Sequence, residues 1–313
     1  MDRETALRQF QEEQYPVLKT CRETCIRQFH QNAGGLLENI KKAFSMLPDR
    51  EYSYFCFSLL RCDLGERTYT VLFQAMDRRW FSDPEPAEWS FRADPVFSGF
   101  NEVWDMLLER QRRYMGKLNT YDVDSMVREE IMGCCLDIGN LLRFYFRDVE
   151  ELPEFTRVRK PDTWQIYWGE YRGDSVLAAQ ADRVPGTEDQ WLQALREDTD
   201  GTGLRESFWY QARLSRGNCE KRDLSFAVFE ECRLQGLVFK EAVLTGARFR
   251  NCLMGRCDFT GADCRLAYFE HCTWEEPELE GTDLGHAVFT GDGIPLQWMD
   301  GTQQEQILVR EEL

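Results

Sequence analysis

The hydrophobic pattern of the C-terminal third of the chain repeats every five residues. From Leu224 to Ile294 every fifth residue is apolar, at fifteen positions in succession. A second series, mostly Ala and Cys, lies two residues before each of these, and the remaining positions are mostly polar, charged or Gly. Chance gives such a run with a probability of roughly one in 10^5. A five-residue period fits neither a helix nor a simple strand; it fits a chain that turns a square corner every five residues.

A second period, of twenty residues, supports this interpretation because four sides of five residues make one coil. Each side should point one large and one small residue inward. One side stacks an aromatic column with a column of alanines beside it, and the next side stacks cysteines beside large apolar residues. The members are Trp209, Phe229, Phe249, Phe269 and Phe289 with Ala227, Ala247, Ala267 and Ala287, then Cys232, Cys252 and Cys272 with Leu234, Met254 and Trp274.

These units resemble the pentapeptide-repeat family, whose signature is a small residue, often Ala, two places before a central Leu or Phe. Clear matches are Ala242-Val243-Leu244, Ala247-Arg248-Phe249 and Ala262-Asp263-Cys264. The resemblance covers about residues 209–294 and implies a right-handed, four-sided β-helix, here of about four coils. Arg222 and Pro277 depart from the pattern. The family hosts many roles, so the resemblance implies a fold and not one function.

The first two hundred residues predict an α+β domain and resemble no family that we recognise. Helical spacing runs over residues 3–47, where Pro16 and Gly34-Gly35 are expected to interrupt it. Alternating and aromatic segments predict a β-hairpin, a proline-containing loop after it, and a later strand with a possible return. Further helices are expected at about 98–117, at 126–146 and after Thr187, while the strands are 52–61, 67–76, 164–171 and 175–181.

We therefore expect four segments along the chain. Residues 1–196 form a helical α+β domain with a small antiparallel sheet, and 197–208 are a linker or cap. Residues 209–294 form the β-helix, and 295–313 form a C-terminal cap with a capping box that begins at Thr302. A dimer contact is the alternative role for this tail. A short β-helix exposes strand edges at both ends, so such caps are required.

Charge and cysteine content limit the function classes. The net charge of −17 argues against direct nucleic-acid binding. No apolar run is long enough to span a membrane and the first residues are polar, so we expect a cytoplasmic protein with no membrane contact. Twelve Cys without a Cys-x-x-Cys, and only three His, predict reduced packing residues and no zinc site. Cys232, Cys252 and Cys272 should be buried and poorly reactive.

No motif in the chain identifies a catalytic, cofactor-binding or metal-binding residue. The leading hypothesis is a non-enzymatic scaffold or protein-interaction module, of bacterial type, that binds a protein partner or a second copy of itself; any small-molecule ligand is unknown. The second is a DNA-mimicking inhibitor or protector of a DNA-binding enzyme such as a type II topoisomerase, a role implied by the resemblance. Residues 209–294 carry 14 acids and 10 bases, a net of only −4, whereas 19 Å of duplex carries about 11 charges. The third is an enzyme in the N-terminal domain.

The side that carries the aromatic column is the candidate interface. Its outward positions mix apolar and charged residues, and Arg250 should lie between Glu230 and Glu270 of the neighbouring coils. We expect this side to be the most occluded or the most apolar of the four, by docking against the N-terminal domain or a second copy. Scattered exposed apolar residues and a foreign partner are the alternatives. The candidate residues are Tyr210, Val228, Arg248, Arg250, Tyr268 and Val288.

Overall fold

The structure is a computed structural model that describes residues 2–310, with the side chain of Asn32 left out. It divides into two compact units, one ending at Gln180 and the other beginning at Ala181. The expected boundary lay at residue 196, after the helix that Thr187 caps. That helix instead belongs to the second unit because Trp191 and Leu195 are part of the solenoid's hydrophobic core.

The first unit is α+β, with helices and one five-stranded sheet, whose last strand runs two residues past the boundary at Gln180. In chain order its elements are α1 Arg3–Ser45, β1 Tyr54–Leu59, β2 Thr70–Met76, β3 Ala87–Arg92, α2 Asp94–Phe97, α3 Gly99–Gln111, α4 Thr120–Tyr145, α5 Pro153–Thr156, β4 Thr163–Glu170 and β5 Ser175–Asp182.

Helix α1 is continuous, so the expected interruptions at Pro16 and Gly34-Gly35 were wrong. Its buried face runs through both sites, because Phe10 and Phe29 are 0–1% exposed and Leu36 and Ile40 continue the same face. A helical Gly costs about 1 kcal/mol, and an interior Pro costs about 3 kcal/mol. Burying each large apolar side chain returns about 1.5–3 kcal/mol. The free energy gained by packing the buried face of α1 therefore outweighs the tendency of these residues to end the helix.

The sheet is mixed, so the expected antiparallel sheet was also wrong. Its strand order is β3-β2-β1-β4-β5; β1 pairs with β2 antiparallel and with β4 parallel. The helices between β2 and β4 return the chain to the starting end of β1, which makes parallel pairing possible. Strand β3 lies inside the segment that was expected to be a loop. Its alternating Trp89 and Phe91 were a strand signal that the neighbouring prolines obscured.

The second unit begins with one helix, continues as a β-solenoid and ends in a short helix and strand. Its elements are α6 Glu188–Glu197, β6 Phe208–Tyr210, β7 Arg213–Leu214, β8 Val228–Glu230, β9 Arg233–Gln235, β10 Arg248–Arg250, β11 Leu253–Gly255, β12 Tyr268–Glu270, β13 Thr273–Glu275, β14 Val288–Thr290, α7 Gly301–Gln306 and β15 Leu308–Arg310.

The solenoid has the predicted twenty-residue register. Phe229 pairs with Phe249, and Phe249 pairs with Phe269, always in parallel. Five successive rungs run from Trp209 to Phe289, which makes about five turns where about four coils were expected, because the Trp209 rung is complete. Isolated bridges such as Val238 to Asp258 and Val243 to Asp263 repeat the same spacing on the two remaining sides.

The corners explain the period of five. The backbone adopts positive φ at every fifth residue from Glu206 through Gly291, apart from position 216. This left-handed conformation costs a non-glycine residue about 1–2 kcal/mol, and most of these corners are not Gly. The ladder of hydrogen bonds and the packed interior hold them in place.

The lumen is filled with side chains. Phe229, Phe249 and Phe269 stack with ring centroids 5.0 and 5.1 Å apart, and Ala227, Ala247 and Ala267 beside them are fully buried. Cys232, Cys252 and Cys272 are buried free thiols, each donating to a carbonyl oxygen of the preceding coil at 3.2–3.3 Å. Thr282 donates in the same way to Phe259 at 2.8 Å. Thiol and hydroxyl donors therefore occupy equivalent positions in the wall.

Polar side chains cover the two ends of the solenoid. At the first coil Arg222, which departs from the repeat, contacts the buried carboxylate of Asp198 and donates to the Asp198 carbonyl at 2.8 Å. At the last coil Gln303 donates to the carbonyls of Leu279 and Thr282 at 2.6 and 3.0 Å. The capping box of α7 begins at Asp300, not at Thr302 as expected. Residues 311–313 of the expected cap lie outside the described residues.

Candidate functional site

Face 1 is the solenoid side formed by β6, β8, β10, β12, β14 and β15, and it carries all six candidate interface residues. Of its ten outward positions in β6 through β14, none is exposed. Val288 and Glu230 are buried, at 6% and 7% exposure. Each of the other three sides has exposed outward residues. The candidate residues therefore share one surface, and its outward side chains are half-buried or buried.

The charges on face 1 form a compact ion-pair ladder. Arg250 lies 3.9 Å from both Glu230 and Glu270, as the register predicted. The closest pair on this face was not predicted: Arg248 reaches diagonally to Glu270, with nitrogen and oxygen 2.8 Å apart. These side chains are mostly buried, so they are screened less than exposed pairs. These ion pairs therefore fix the positions of the charged side chains on face 1.

The segment that leads into the solenoid contacts one end of face 1. Arg183 pairs with Glu230 at 3.3 Å. Pro185 forms a parallel bridge with Tyr210, and the Gly186 N–H donates to the Tyr210 carbonyl at 2.8 Å. Sequence reasoning missed this contact because the segment follows β5 without a strand pattern of its own. It accounts for part of the occlusion near Tyr210.

Acidic side chains dominate the outer surface of the last coils. Glu275, Glu278 and Glu280 are exposed, and in the portion of the chain that the structure describes no basic group pairs with any of them. Nearby acids are partly neutralised, since Glu276 pairs with Arg256 and Asp283 with Arg265. We call Glu275, Glu278 and Glu280 the acidic corner.

The acidic columns do not extend along the whole solenoid. One outward column reads Asn218, Val238, Asp258 and Glu278, and a second reads Asp223, Val243, Asp263 and Asp283. Both columns contain Val in the second coil. The negative charge is therefore concentrated at the C-terminal end of the solenoid, which differs from the even charge spacing of a DNA duplex.

The buried thiols have no features of nucleophiles. Cys62 is exposed, so the expectation of packing residues fails at that position, and its hydrogen bond with Asp63 raises the pKa of its thiol. Burial raises the pKa of Cys257 to about 11 and that of Cys219 to about 12. In the first unit burial raises the pKa of Cys56 to about 12. A thiol in such surroundings stays protonated near neutral pH. Over residues 2–310, moreover, no three His, Cys, Asp or Glu side chains form a group that could hold a metal ion.

Comparison with known proteins agrees with the register of the solenoid. The family model described as a pentapeptide repeat region matches residues 203–290, and the N-terminal part has no family match. The C-terminal part of this chain is therefore a pentapeptide repeat region. A search of curated proteins found no similar sequence.

Several solved structures are similar to part of this chain. A pentapeptide repeat protein of Nostoc PCC 7120 is 17% identical, covering 41% of this chain and 99% of its own, with a TM-score of 0.32. One from the Arabidopsis thaliana thylakoid lumen is 22% identical over 35% and 77%, with a TM-score of 0.28. QnrB1, a plasmid-mediated fluoroquinolone resistance protein, is 17% identical over 30% and 50%, with a TM-score of 0.28. This chain thus spans half the length of QnrB1.

No helix among the described residues is long and apolar enough to cross a membrane.

Proposed function

We propose that this protein is a non-enzymatic scaffold whose solenoid presents its outer surface to another protein. The observation that supports this most strongly is the filled lumen. Its inward aromatic and aliphatic side chains are almost entirely buried and stack from coil to coil. Such an interior leaves the solenoid only its outer surface for function. The rigid ladder keeps that surface in a constant shape, which suits binding.

The acidic corner is the proposed contact for a basic protein partner. Its three glutamates carry charge that no basic residue of the described chain neutralises. Exposed charges of one sign raise the association rate with an oppositely charged surface and favour it over other surfaces. The proposed location is the cytoplasm, which is consistent with twelve free cysteines.

Face 1 is proposed as an internal docking surface that holds the solenoid to the chain segment preceding it. The Arg183–Glu230 pair and the hydrogen bond from Gly186 to the Tyr210 carbonyl support this assignment at one end of the face. The low exposure of the candidate residues Tyr210, Val228, Arg248, Arg250, Tyr268 and Val288 is consistent with it. A double change, Val228→Glu with Tyr268→Glu, should increase proteolysis around residues 181–187 while the solenoid stays folded. A change in sedimentation would instead assign face 1 to a second copy. Unchanged proteolysis, sedimentation and thermal stability would refute the docking role.

Comparative affinity purification tests the scaffold proposal. The bait is the full chain as wild type, as Glu275→Gln/Glu278→Gln/Glu280→Gln, and as a matched control, Glu12→Gln/Glu23→Gln/Glu109→Gln, in which three exposed acids of the first unit lose the same charge. We expect a protein that the wild type and control retain and the acidic-corner variant loses. Identical protein sets from all three baits would contradict the proposal.

A DNA-mimicking inhibitor of a DNA-binding enzyme is the second candidate function. The concentration of acids in the last coils favours it, while the Val positions in the acidic columns and the net charge of −4 over residues 209–294 weigh against it. A type II topoisomerase supercoiling assay with added protein decides between the two. Inhibition that the triple glutamine variant abolishes would support mimicry, and unchanged supercoiling at a large molar excess would exclude it for that enzyme.

A further inference from the structure

A cavity of about 400 Å³ opens on the sheet face that lies opposite the main helices of the first unit. Phe55 and Phe57 of β1 point to the other face, where they contact Phe44 of α1 and Phe155 of α5. Cys56 and Ser58 alternate with them and line the cavity. The volume lies within the range of small-molecule sites, about 300–1,000 Å³.

An aromatic wall encloses one side of the cavity. It consists of Trp80, Phe81 and Tyr167. The Trp80 ring lies 5.0 Å from the Tyr167 ring and 4.1 Å from the ring of Tyr54. Phe81 remains 45% exposed. Planar π surfaces of this kind bind flat aromatic molecules by stacking and edge contacts.

The loop that carries this wall is strained and firmly anchored. Trp80 has a φ of +54°, which is uncommon for a bulky residue. The fully buried carboxylate of Asp83 accepts from Arg50 at 2.6 Å and from the N–H groups of Asp77 and Glu85. Backbone strain that the surroundings hold in place is concentrated at functional sites. The hydrogen bonds of Asp83 therefore hold the loop in place, so that Trp80 stays over the sheet in spite of its strained backbone.

One hydroxyl on the sheet beneath the wall has no partner. Ser58 lines the cavity and is only 6% exposed, and its hydroxyl has no hydrogen-bond partner within the described chain. A hydroxyl can both donate and accept a hydrogen bond. A hydrogen-bonding ligand would satisfy the Ser58 hydroxyl.

A positively charged side chain lies at the rim of the cavity. Arg172 lines the cavity at the β4–β5 turn, is exposed, and forms no ion pair in the described residues. The acid beside it, Glu170, is engaged by Arg61 at 2.6 Å. Gly169, also in the lining, lets the backbone of residues 174–175 approach closely, because an added Cβ would meet the Asp174 carbonyl and Ser175. The guanidinium lies over the Tyr171 ring, 5.3 Å from its centroid, and with no carboxylate bound to it can pair with a ligand's anionic group.

We propose that this cavity binds a small planar aromatic molecule that carries a carboxylate or phosphate. The ring lies against Trp80 and Phe81, a polar ring atom bonds to Ser58, and the anion pairs with Arg172. This inference is independent of the scaffold proposal, because it concerns the first unit alone.

Ligand-observed NMR titration of the full-length protein tests the proposal with three indole probes that differ only in charge: indole-3-acetate, indole-3-acetamide and tryptamine. A ligand of this size at ordinary efficiency should bind with a Kd of about 1 mM. Indole-3-acetate should bind tightest and tryptamine weakest. Failure of both the acetate and the amide to bind at about ten times that concentration would overturn the proposal, and equal binding of all three would overturn its anionic part.

Variants assign the binding to this cavity. Trp80→Ala should weaken indole-3-acetate at least tenfold, and Ser175→Trp, at an exposed position on the mouth, should do so without touching the core. Arg172→Gln should weaken the acetate to the level of the amide and leave the amide unchanged. Tyr15→Ala, in a separate groove between α1 and α4, is the control and should change nothing. Full binding by both Trp80→Ala and Ser175→Trp would overturn the assignment.

Discussion

Phe249 gives the sharpest test of the solenoid interior. It is fully buried, and it stacks on Phe229 at 5.0 Å and on Phe269 at 5.1 Å with nearly parallel rings. Its edges also meet Phe239 and Phe259 at 6.4 and 6.3 Å. Phe249→Ala removes all four ring contacts at once. The neighbouring coils are fixed by ladder hydrogen bonds, so the space cannot collapse.

A buried Phe→Ala change costs about 3–5 kcal/mol. That range already includes lost ring contacts, and two well-stacked pairs are lost here. We therefore expect the upper part of the range, a loss of about 4–5 kcal/mol in the free energy of opening the central coils. In a solenoid each coil contacts only its neighbours, so the loss should be largest in β8, β10 and β12.

Amide hydrogen exchange with mass spectrometry of peptides spanning residues 228–270 measures this opening free energy directly. Tyr121→Ala is the control, since Tyr121 is 73% exposed and its removal should change stability by no more than about 0.5 kcal/mol. If Phe249→Ala lowers the opening free energy by less than about 1 kcal/mol, the account of the filled lumen is wrong.

Three further predictions concern corners, caps and pH. Gly281→Ala should lower the free energy of unfolding by about 1–2 kcal/mol from backbone strain alone, because its φ is +64° and no atom lies nearer than 4.0 Å to an added Cβ. Gly34→Ala in α1, also in open space, should instead raise it by up to about 1 kcal/mol. Thermal unfolding measures both changes. Arg222→Ala should cost about 2–4 kcal/mol by leaving buried Asp198 unpaired, and adding Asp198→Ala should recover part of it in urea unfolding. Hydrogen bonds from Arg216 and Ser215 lower the pKa of Glu188 from 4.5 to about 2. The contribution of Glu188 to the stability of α6 is therefore fully present above pH 4.5 and is lost as the pH falls toward 2. Glu188→Gln should remove this pH dependence, which an NMR pH titration measures.

The sequence was sufficient for the solenoid because its geometry constrains nearly every residue. Each corner requires a positive φ and each side requires one large and one small inward residue, so the period is visible without any partner. Arg250 between Glu230 and Glu270 followed from that register alone. The diagonal pair of Arg248 with Glu270 did not, because it depends on side-chain rotamers.

The first unit was harder to predict because its decisive contacts are distant in sequence. The parallel pairing of β1 with β4 joins segments about one hundred residues apart, and nothing local specifies its direction. The continuity of α1 depends on the residues it packs against and not on Pro16 or Gly34. The cavity beside Trp80 was invisible for the same reason, since its lining comes from three separate parts of the chain.

Binding of a purified partner tests the central claim, that the outer surface of the solenoid is the functional part of this protein. The partner is the one that affinity purification identifies, and calorimetry measures its Kd for the wild type, the acidic-corner variant and the matched control. We predict at least tenfold weaker binding by the Glu275→Gln/Glu278→Gln/Glu280→Gln variant, wild-type affinity for the control, and weaker wild-type binding at higher salt. Equal affinity of all three proteins would contradict the account.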